Sequence, residues 1–347
     1  MTSLGRYPMV SLKEARAKRD ELAMMVFHGE SPLRQKQLEK MAVGKTSTVH
    51  DFCERYFKEV IQKDRKDSTQ LRRYLDKENY PAFGSRSMEK VTAQDFQRLV
   101  FLKRDHGFES AAAQLRNLLK RIFDYAIVCG LVTVNPALAT PTRFITRTRP
   151  RTRALSSDEV RIYLDVLYRS NIRRQFKLAL HIILLTLVRK SELLQARWTD
   201  VDVERGEWLI PELNSKTGRP HTVYLSRQVR EMFEELKTLS RESELGLPGR
   251  GTLRKPFAKN ALNKALEGVN FSIAPFTIHD LRRTGSTILH EQGFPSDVVE
   301  RALNHTIGGV RGVYNRAEYA DQRRKMLQAW ADYVDQLRMH RRDTARY

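Results

Sequence analysis

Seven side chains in the second half of the chain stand where simple core-and-surface patterning would not put them. Arg189 closes the most apolar stretch of the sequence, Leu178 to Val188. A guanidinium at such a place needs an anion, and Glu192 lies one helical turn on. His279-Asp-Leu-Arg282 opens another helical pattern and sets His279 and Arg282 on one face. His305 follows a helix end at Leu303-Asn304-His305, Tyr314 sits in Val313-Tyr-Asn-Arg, and Lys216 occupies a polar loop. Each has an ordinary explanation on its own: a structural ion pair, a packed histidine, an amphipathic tyrosine, a surface lysine. Together they are three cations, two imidazoles, one phenol and a single carboxylate, a set with room for an anion.

Charge suggests the class of anion without choosing DNA over RNA. Lys plus Arg exceed Asp plus Glu by 21 in 347 residues, which points to a polyanion, nucleic acid first, because phosphate neutralisation releases counterions. With 41% hydrophobic residues the chain can build packed cores, and its length calls for two or three domains. Two cysteines, Cys53 and Cys129, cannot make a disulfide framework, so a reduced, cytoplasmic setting is expected. The longest apolar run is too short to span a bilayer, and no apolar signal-peptide core is read at the N-terminus.

The elements that must position these residues follow from periodicity and caps. Over 1–44, Leu22, Met25 and Val26 form a short helical stripe. Thr48-x-x-Asp51 and Thr92-x-x-Asp95 open one-sided helices, and a third runs from about Ser110 to a stop at Gly130. Residues 45–138 therefore read as a small helical domain. Residues 139–153 carry Arg143, Arg147, Arg149, Arg151 and Arg153 with two prolines and no acid, an extended basic linker suited to lying along a phosphate backbone. Ser156-x-x-Glu159 opens a larger domain, 154–335, with helices near 157–169, 175–187, 190–196, 228–239, 257–267, 280–291 and 296–303. Glu207-Trp-Leu-Ile and His221-Thr-Val-Tyr flank a polar tip as a β-hairpin. Residues 336–347 read as a loose basic tail. The fold class is mainly α with a small β component.

Taken in order, Arg189, Lys216, His279-x-x-Arg282, His305 and Tyr314 are separated by 27, 63, 3, 23 and 9 residues. This set resembles the tyrosine recombinase (phage integrase) family. The flanking text is similar too: Leu185-Thr-Leu-Val-Arg-Lys-Ser-Glu-Leu-Leu-Gln-Ala-Arg-Trp around Arg189, Phe276-Thr-Ile-His-Asp-Leu-Arg-Arg-Thr around Arg282, and Leu303-Asn-His-Thr-Ile-Gly-Gly-Val-Arg-Gly-Val-Tyr before the phenol, the last most like integrases of P4-type phages and genomic islands. Two positions depart from the family pattern: Leu187 stands where a glycine is frequent, and Asn304 stands in a Leu-Gly-His. Tyr319 is a second tyrosine near the expected nucleophile. Residues 1–44 resemble part of an arm-type DNA-binding domain.

The resemblance implies a DNA site-specific recombinase that integrates or excises a mobile element through a 3′-phosphotyrosyl link. Tyr314 would be the nucleophile; Arg189, Arg282 and His305 would hold the phosphate oxygens. His279 would accept the phenolic proton, Lys216 would protonate the leaving 5′-oxygen, and Glu192 would orient the arginines. It implies no cofactor, a tetramer on double-stranded DNA, a terminal segment around Trp330 docking on a neighbouring protomer, accessory DNA-bending proteins as further partners, and association with the nucleoid. Two other classes compete: a non-catalytic DNA-binding regulator, with a helix-turn-helix over 286–304, and a metal-dependent transposase or nuclease.

Overall fold

In a computed structural model the described residues are 12–27, 48–64, 68–147, 152–249, 252–305 and 317–344. The chain divides into two compact units, 1–150 and 151–347.

The first unit is helical. α1 spans Leu12–Phe27, with Leu12, Met24, Val26 and Phe27 exposed. α2 begins at Val49–Tyr56, capped by the Thr48 hydroxyl on the Asp51 amide, and continues through a π turn, Phe57–Ile61. α3, Thr69–Tyr74, also passes into a π turn, Leu75–Asn79. The sequence reading missed this helix, because wide turns shift the 3.6-residue period and Pro81 suggests a stop. α4, Ala93–Asp105, opens on the Thr92/Asp95 capping box, and α5, Glu109–Val128, ends before Gly130 at φ 69°. Phe52, Leu75, Phe96, Leu115, Leu118 and Phe123 form the core. Cys53 is buried within it, its thiol pushed up to about 12 by burial. Residues 140–147 are not extended. They fold back through a short turn, Thr142–Phe144, and bury Ile145. Buried Arg116 fixes the approach by donating to the Ala137 and Thr140 carbonyls at 3.1 and 2.9 Å.

The second unit wraps helices around α7. α6, Ser157–Arg169, starts on the Ser156/Glu159 capping box. α7, Arg174–Thr186, is buried from Leu178 to its end and packs against α9, Arg227–Ser240, α11, Ile278–Glu291, and α13, Ala320–Thr344. His181 on α7 is fully buried with Nδ1 on the Tyr168 hydroxyl at 2.8 Å, and burial pushes its pKa down to about 3. α8, Lys190–Leu194, follows. A three-stranded antiparallel sheet, β1 (Val201–Asp202), β2 (Glu207–Ile210) and β3 (His221–Tyr224), pairs Trp208 with Val223. The hairpin β2–β3 is legible from alternation; β1 and the hairpin β4 (Pro248–Gly249) with β5 (Thr252–Pro256) are too short to show a period. α10, Ala261–Glu267, and α12, Ser296–Ala302, complete the unit.

Two findings correct the sequence reading at the C-terminus. α13 runs through Thr344 where a loose tail was expected, and the Arg338 guanidinium sits 4.7 Å from the Tyr168 ring. Trp330 packs in the core of its own unit, fully buried, and donates to the Leu184 carbonyl at 2.9 Å. That carbonyl belongs to the last turn of α7, which ends at Leu187 in the left-handed region, φ 59°. No described helix is long and apolar enough to cross a membrane.

Leu187 fits because α11 offers it Gly285. A Cβ at 285 would collide with Leu187 Cδ2 and touch the Trp330 ring. Gly285→Ala gains about 1 kcal/mol of helix propensity, yet overpacking of about 1–3 kcal/mol opposes it. The expected net result is a lower urea midpoint for the second unit. All three tryptophans lie there, so their fluorescence reports it. An unchanged or raised midpoint would show that Leu187 and Gly285 do not share this space.

Candidate active site

Arg189 is placed by the end of α7. After Leu187 turns the chain, Arg189 occupies the cap of α8, and Glu192, 2% exposed, binds it twice. One carboxylate oxygen accepts the Arg189 amide at 2.8 Å and the other its guanidinium at 3.0 Å. The guanidinium also donates to the Asn304 carbonyl at 3.2 Å. Glu192 thus both starts the helix and aims the arginine.

Arg282 is placed by the start of α11. Thr277 and Asp280 form its capping box, with both Thr277 bonds to Asp280 at 2.8 Å. Arg282, one turn in, is 3% exposed and donates to the Leu303 carbonyl at 2.9 Å, while its Nε has no hydrogen-bond partner among the described residues. Burial, and secondarily Arg189, push its pKa down to about 10, so it stays cationic at neutral pH. Between these two guanidiniums only Glu192 supplies an opposing charge among the groups acting on Arg282. Among the described residues the pair is short of one anion.

His279 lies at the surface of the same turn. Its pKa is lowered by partial burial first and then by Arg282 and Arg283, with Lys216 adding a smaller push, so the ring is held neutral at physiological pH. Lys216 is exposed in the loop 211–220 between β2 and β3. His305 follows α12: its amide donates to the Glu300 carbonyl at 3.0 Å and its Nδ1 pairs with Glu300 Oε2 at 2.7 Å. That leaves Nε2 as the ring nitrogen for a ligand. Arg189, Glu192, Arg282 and His305 are thus tied to neighbouring backbone. Tyr314 lies outside the described residues. Tyr319 stands one residue before α13, its ring packed on the core and its carbonyl accepting the Arg323 amide at 2.8 Å.

The linker arginines separate. Arg143 lies over the Phe144 ring at 4.9 Å and Arg147 is exposed. Arg149 and Arg151 lie outside the described residues. Arg153 is engaged by the Glu159 carboxylate at 2.6 and 2.8 Å, at the start of α6.

Residues that the sequence reading passed over complete the site. His221 at the start of β3 is buried and hydrogen-bonded to the Ala302 backbone. Burial above all, helped by Arg323, pushes its pKa down to about 3. Arg323 of α13 is buried, donates to the Thr222 carbonyl and lies 4.9 Å from the Tyr224 ring. Asn304, at φ 51°, joins the loop around Lys216 through Ser215 and Thr217. His221 looks like any strand residue in sequence, and no periodicity reveals its partner.

Comparison with known proteins bears on the family and the fold. The family model for the phage integrase family matches residues 153–321, and that for the phage integrase central domain matches 48–141. Prophage integrase IntZ of Escherichia coli (strain K12) is 33% identical over 345 residues, covering 97% of this chain and 84% of that protein. The integrase of Enterobacteria phage P4 is 30% identical over 356 residues, covering 97% and 80%. A lambda integrase tetramer bound to a Holliday junction matches in structure with a TM-score of 0.61 at 21% identity, covering 88% of this chain and 90% of that one. At that identity the likeness is one of fold.

The two buried histidines set a pH dependence. His181 and His221 stay neutral in the folded protein down to about 3, while in the unfolded chain they protonate near 6.5. The unfolded state therefore binds more protons below pH 6.5. Stability from this source is complete above that pH and is lost as pH falls toward 3, at about 1.4 kcal/mol per pH unit for each histidine. Urea titrations between pH 7 and 5 should show the decline, and His181→Gln should roughly halve its slope, leaving the share of His221. A slope indifferent to that change would mean the ring titrates normally.

Proposed function

This chain belongs to the phage integrase family, and we propose that it cuts and rejoins double-stranded DNA through a 3′-phosphotyrosyl intermediate on Tyr314, to insert or release a mobile element. The observation that carries the chemistry is the uncompensated pair Arg189 and Arg282. Two guanidiniums are held on adjacent carbonyls; Glu192 pairs with that of Arg189, and the Nε of Arg282 has no hydrogen-bond partner among the described residues. A phosphodiester passing through a pentavalent transition state gains negative charge on its non-bridging oxygens, and fixed, always-charged forks meet that charge without reorganising.

The remaining roles follow from position and proton affinity. The Tyr314 oxygen attacks phosphorus, the bond from phosphorus to the 5′-oxygen breaks, and the phosphate stays on the 3′ side joined to tyrosine. The phenolic proton passes to His279, which is neutral and can take it. Lys216 gives a proton to the departing 5′-oxygen. His305, with Nδ1 held by Glu300, presents Nε2 to a phosphate oxygen. The new ester keeps the energy of the old one, so a 5′-hydroxyl from a second duplex reverses the step without a nucleoside triphosphate. Arg143, Arg147, Arg149 and Arg151 supply phosphate contacts along the linker, with Arg153 shared with Glu159.

The lambda integrase structure is that of a tetramer on a Holliday junction, and this chain would assemble in the same number on its DNA, with DNA-bending proteins as further partners and the nucleoid as its place of action.

A nicked suicide duplex carrying the element's end, incubated with the protein in chelator, should trap a covalent adduct. Tyr314→Phe should abolish the adduct and keep DNA affinity, while Tyr319→Phe should still form it. Loss of cleavage in chelator, or an adduct that survives Tyr314→Phe, would end this reading. Lys216→Ala should slow cleavage by about 100-fold or more, and a 5′-bridging sulfur, which leaves without a proton, should restore it. Absence of that rescue would move the acid to another residue.

A further inference from the structure

The loop that carries Lys216 is long and its lysine is exposed, so left to itself it would sample many positions, and an acid must sit within hydrogen-bond reach of its oxygen. We propose that the side chain of Asn304 is the positioning residue that holds Lys216 at the reacting phosphate. The inference rests on the assignment of Lys216 as the acid.

The geometry is a closed ring of three polar side chains that brackets the lysine. Asn304 Nδ2 donates to Ser215 Oγ at 3.1 Å, and Thr217 Oγ1 donates to Asn304 Oδ1 at 3.2 Å. Ser215 Oγ and Thr217 Oγ1 lie 2.9 Å apart. Thr217 gives its only hydroxyl proton to Asn304, so the Ser215 hydroxyl donates to Thr217. Each hydroxyl and one amide N–H then has an acceptor within the ring, and the direction of the ring is fixed. An amide suits this place because it offers a donor at one end and an acceptor at the other. Ser215 is buried and Thr217 and Asn304 are half-buried, so water competes less at the Ser215 corner of the ring.

The backbone of the same residue does the other half. Asn304 stands at φ 51°, in the left-handed region that asparagine tolerates better than most residues. Its carbonyl accepts Arg189 at 3.2 Å, and the next residue is His305. One residue therefore joins the loop of the acid to an arginine of the phosphate site. A glycine at 304 would keep the backbone and lose the ring.

Asn304→Gly separates these two jobs. In single-turnover cleavage it should slow the ordinary oxygen substrate by roughly tenfold, the loss of two neutral hydrogen bonds, and cleave the 5′-bridging sulfur substrate at the parent rate with unchanged DNA affinity. The pair Ser215→Ala/Thr217→Val should show the same defect, and adding Asn304→Gly to it should cost nothing more. Amide hydrogen exchange over 213–219 should quicken in Asn304→Gly. A defect equal on both substrates, with Lys216→Ala still rescued by sulfur, overturns the proposal and assigns the loss to backbone geometry. An unchanged oxygen-substrate rate or unchanged exchange overturns it as well. If Lys216→Ala is not rescued, the acid assignment itself has failed, and this inference falls with it by a separate observation.

Discussion

The end of α12 organises the catalytic unit, because three consecutive residues there each receive a side chain from a different element. His221 of the sheet bonds the Ala302 backbone, Arg282 of α11 the Leu303 carbonyl, and Arg189, at the start of α8, the Asn304 carbonyl. Carbonyls at a helix C-terminus lack intrahelical donors. Here that deficit is met by the charged and imidazole groups that the site needs. Satisfying the helix end and assembling the site are one event, so neither can shift without the other.

The electrostatics follow from that arrangement. A buried guanidinium, Arg282, and a partly buried one, Arg189, against one buried carboxylate, Glu192, leave a positive excess among the described residues in a poorly solvated place. Such an excess is unfavourable in the free protein, and the core carries the cost. It also favours an anion: one able to approach both forks relieves the repulsion, whereas a neutral group does not. The chain-wide surplus of 21 positive charges acts on a polyanion from a distance, and the proposed role of the two arginines is the local counterpart of that attraction.

Packing behind the site explains how a leucine can stand at a left-handed position. A non-glycine residue there costs about 1–3 kcal/mol. Leu187 returns that cost by filling the space over Gly285, beside Trp330, whose indole in turn satisfies the α7 end at Leu184. The departure from glycine at 187 is thus matched by an absence of side chain at 285. Asn304 is the parallel case, a left-handed residue whose side chain is used rather than merely tolerated.

Much of this architecture is written locally in the chain. The caps at Thr48, Thr92 and Ser156 act through a side chain three residues away, and the apolar stripes of α2, α4, α5, α6 and α7 repeat within one helix, so near-neighbour spacing suffices to see them. The order of Arg189, Lys216, His279, Arg282, His305 and Tyr314 is likewise visible in the linear text. What escapes such a reading involves partners distant in the chain or elements too short or irregular to show a period: α3 with its wide turn, β1 and the β4–β5 hairpin, the fold-back of Ile145, Arg153 taken up by Glu159, and α13 continuing to Thr344 on a face fixed by Tyr168. Residue type and periodicity alone therefore outline most of the helices, and the ordered set of polar residues carries the family resemblance from which the chemistry is inferred. The meeting of His221, Arg282 and Arg189 at 302–304, the reach of Asn304 to Ser215 and Thr217, and the inward turn of Trp330 arise only in the folded chain, because a hydrogen bond across 89 or 146 residues leaves no local mark on either partner.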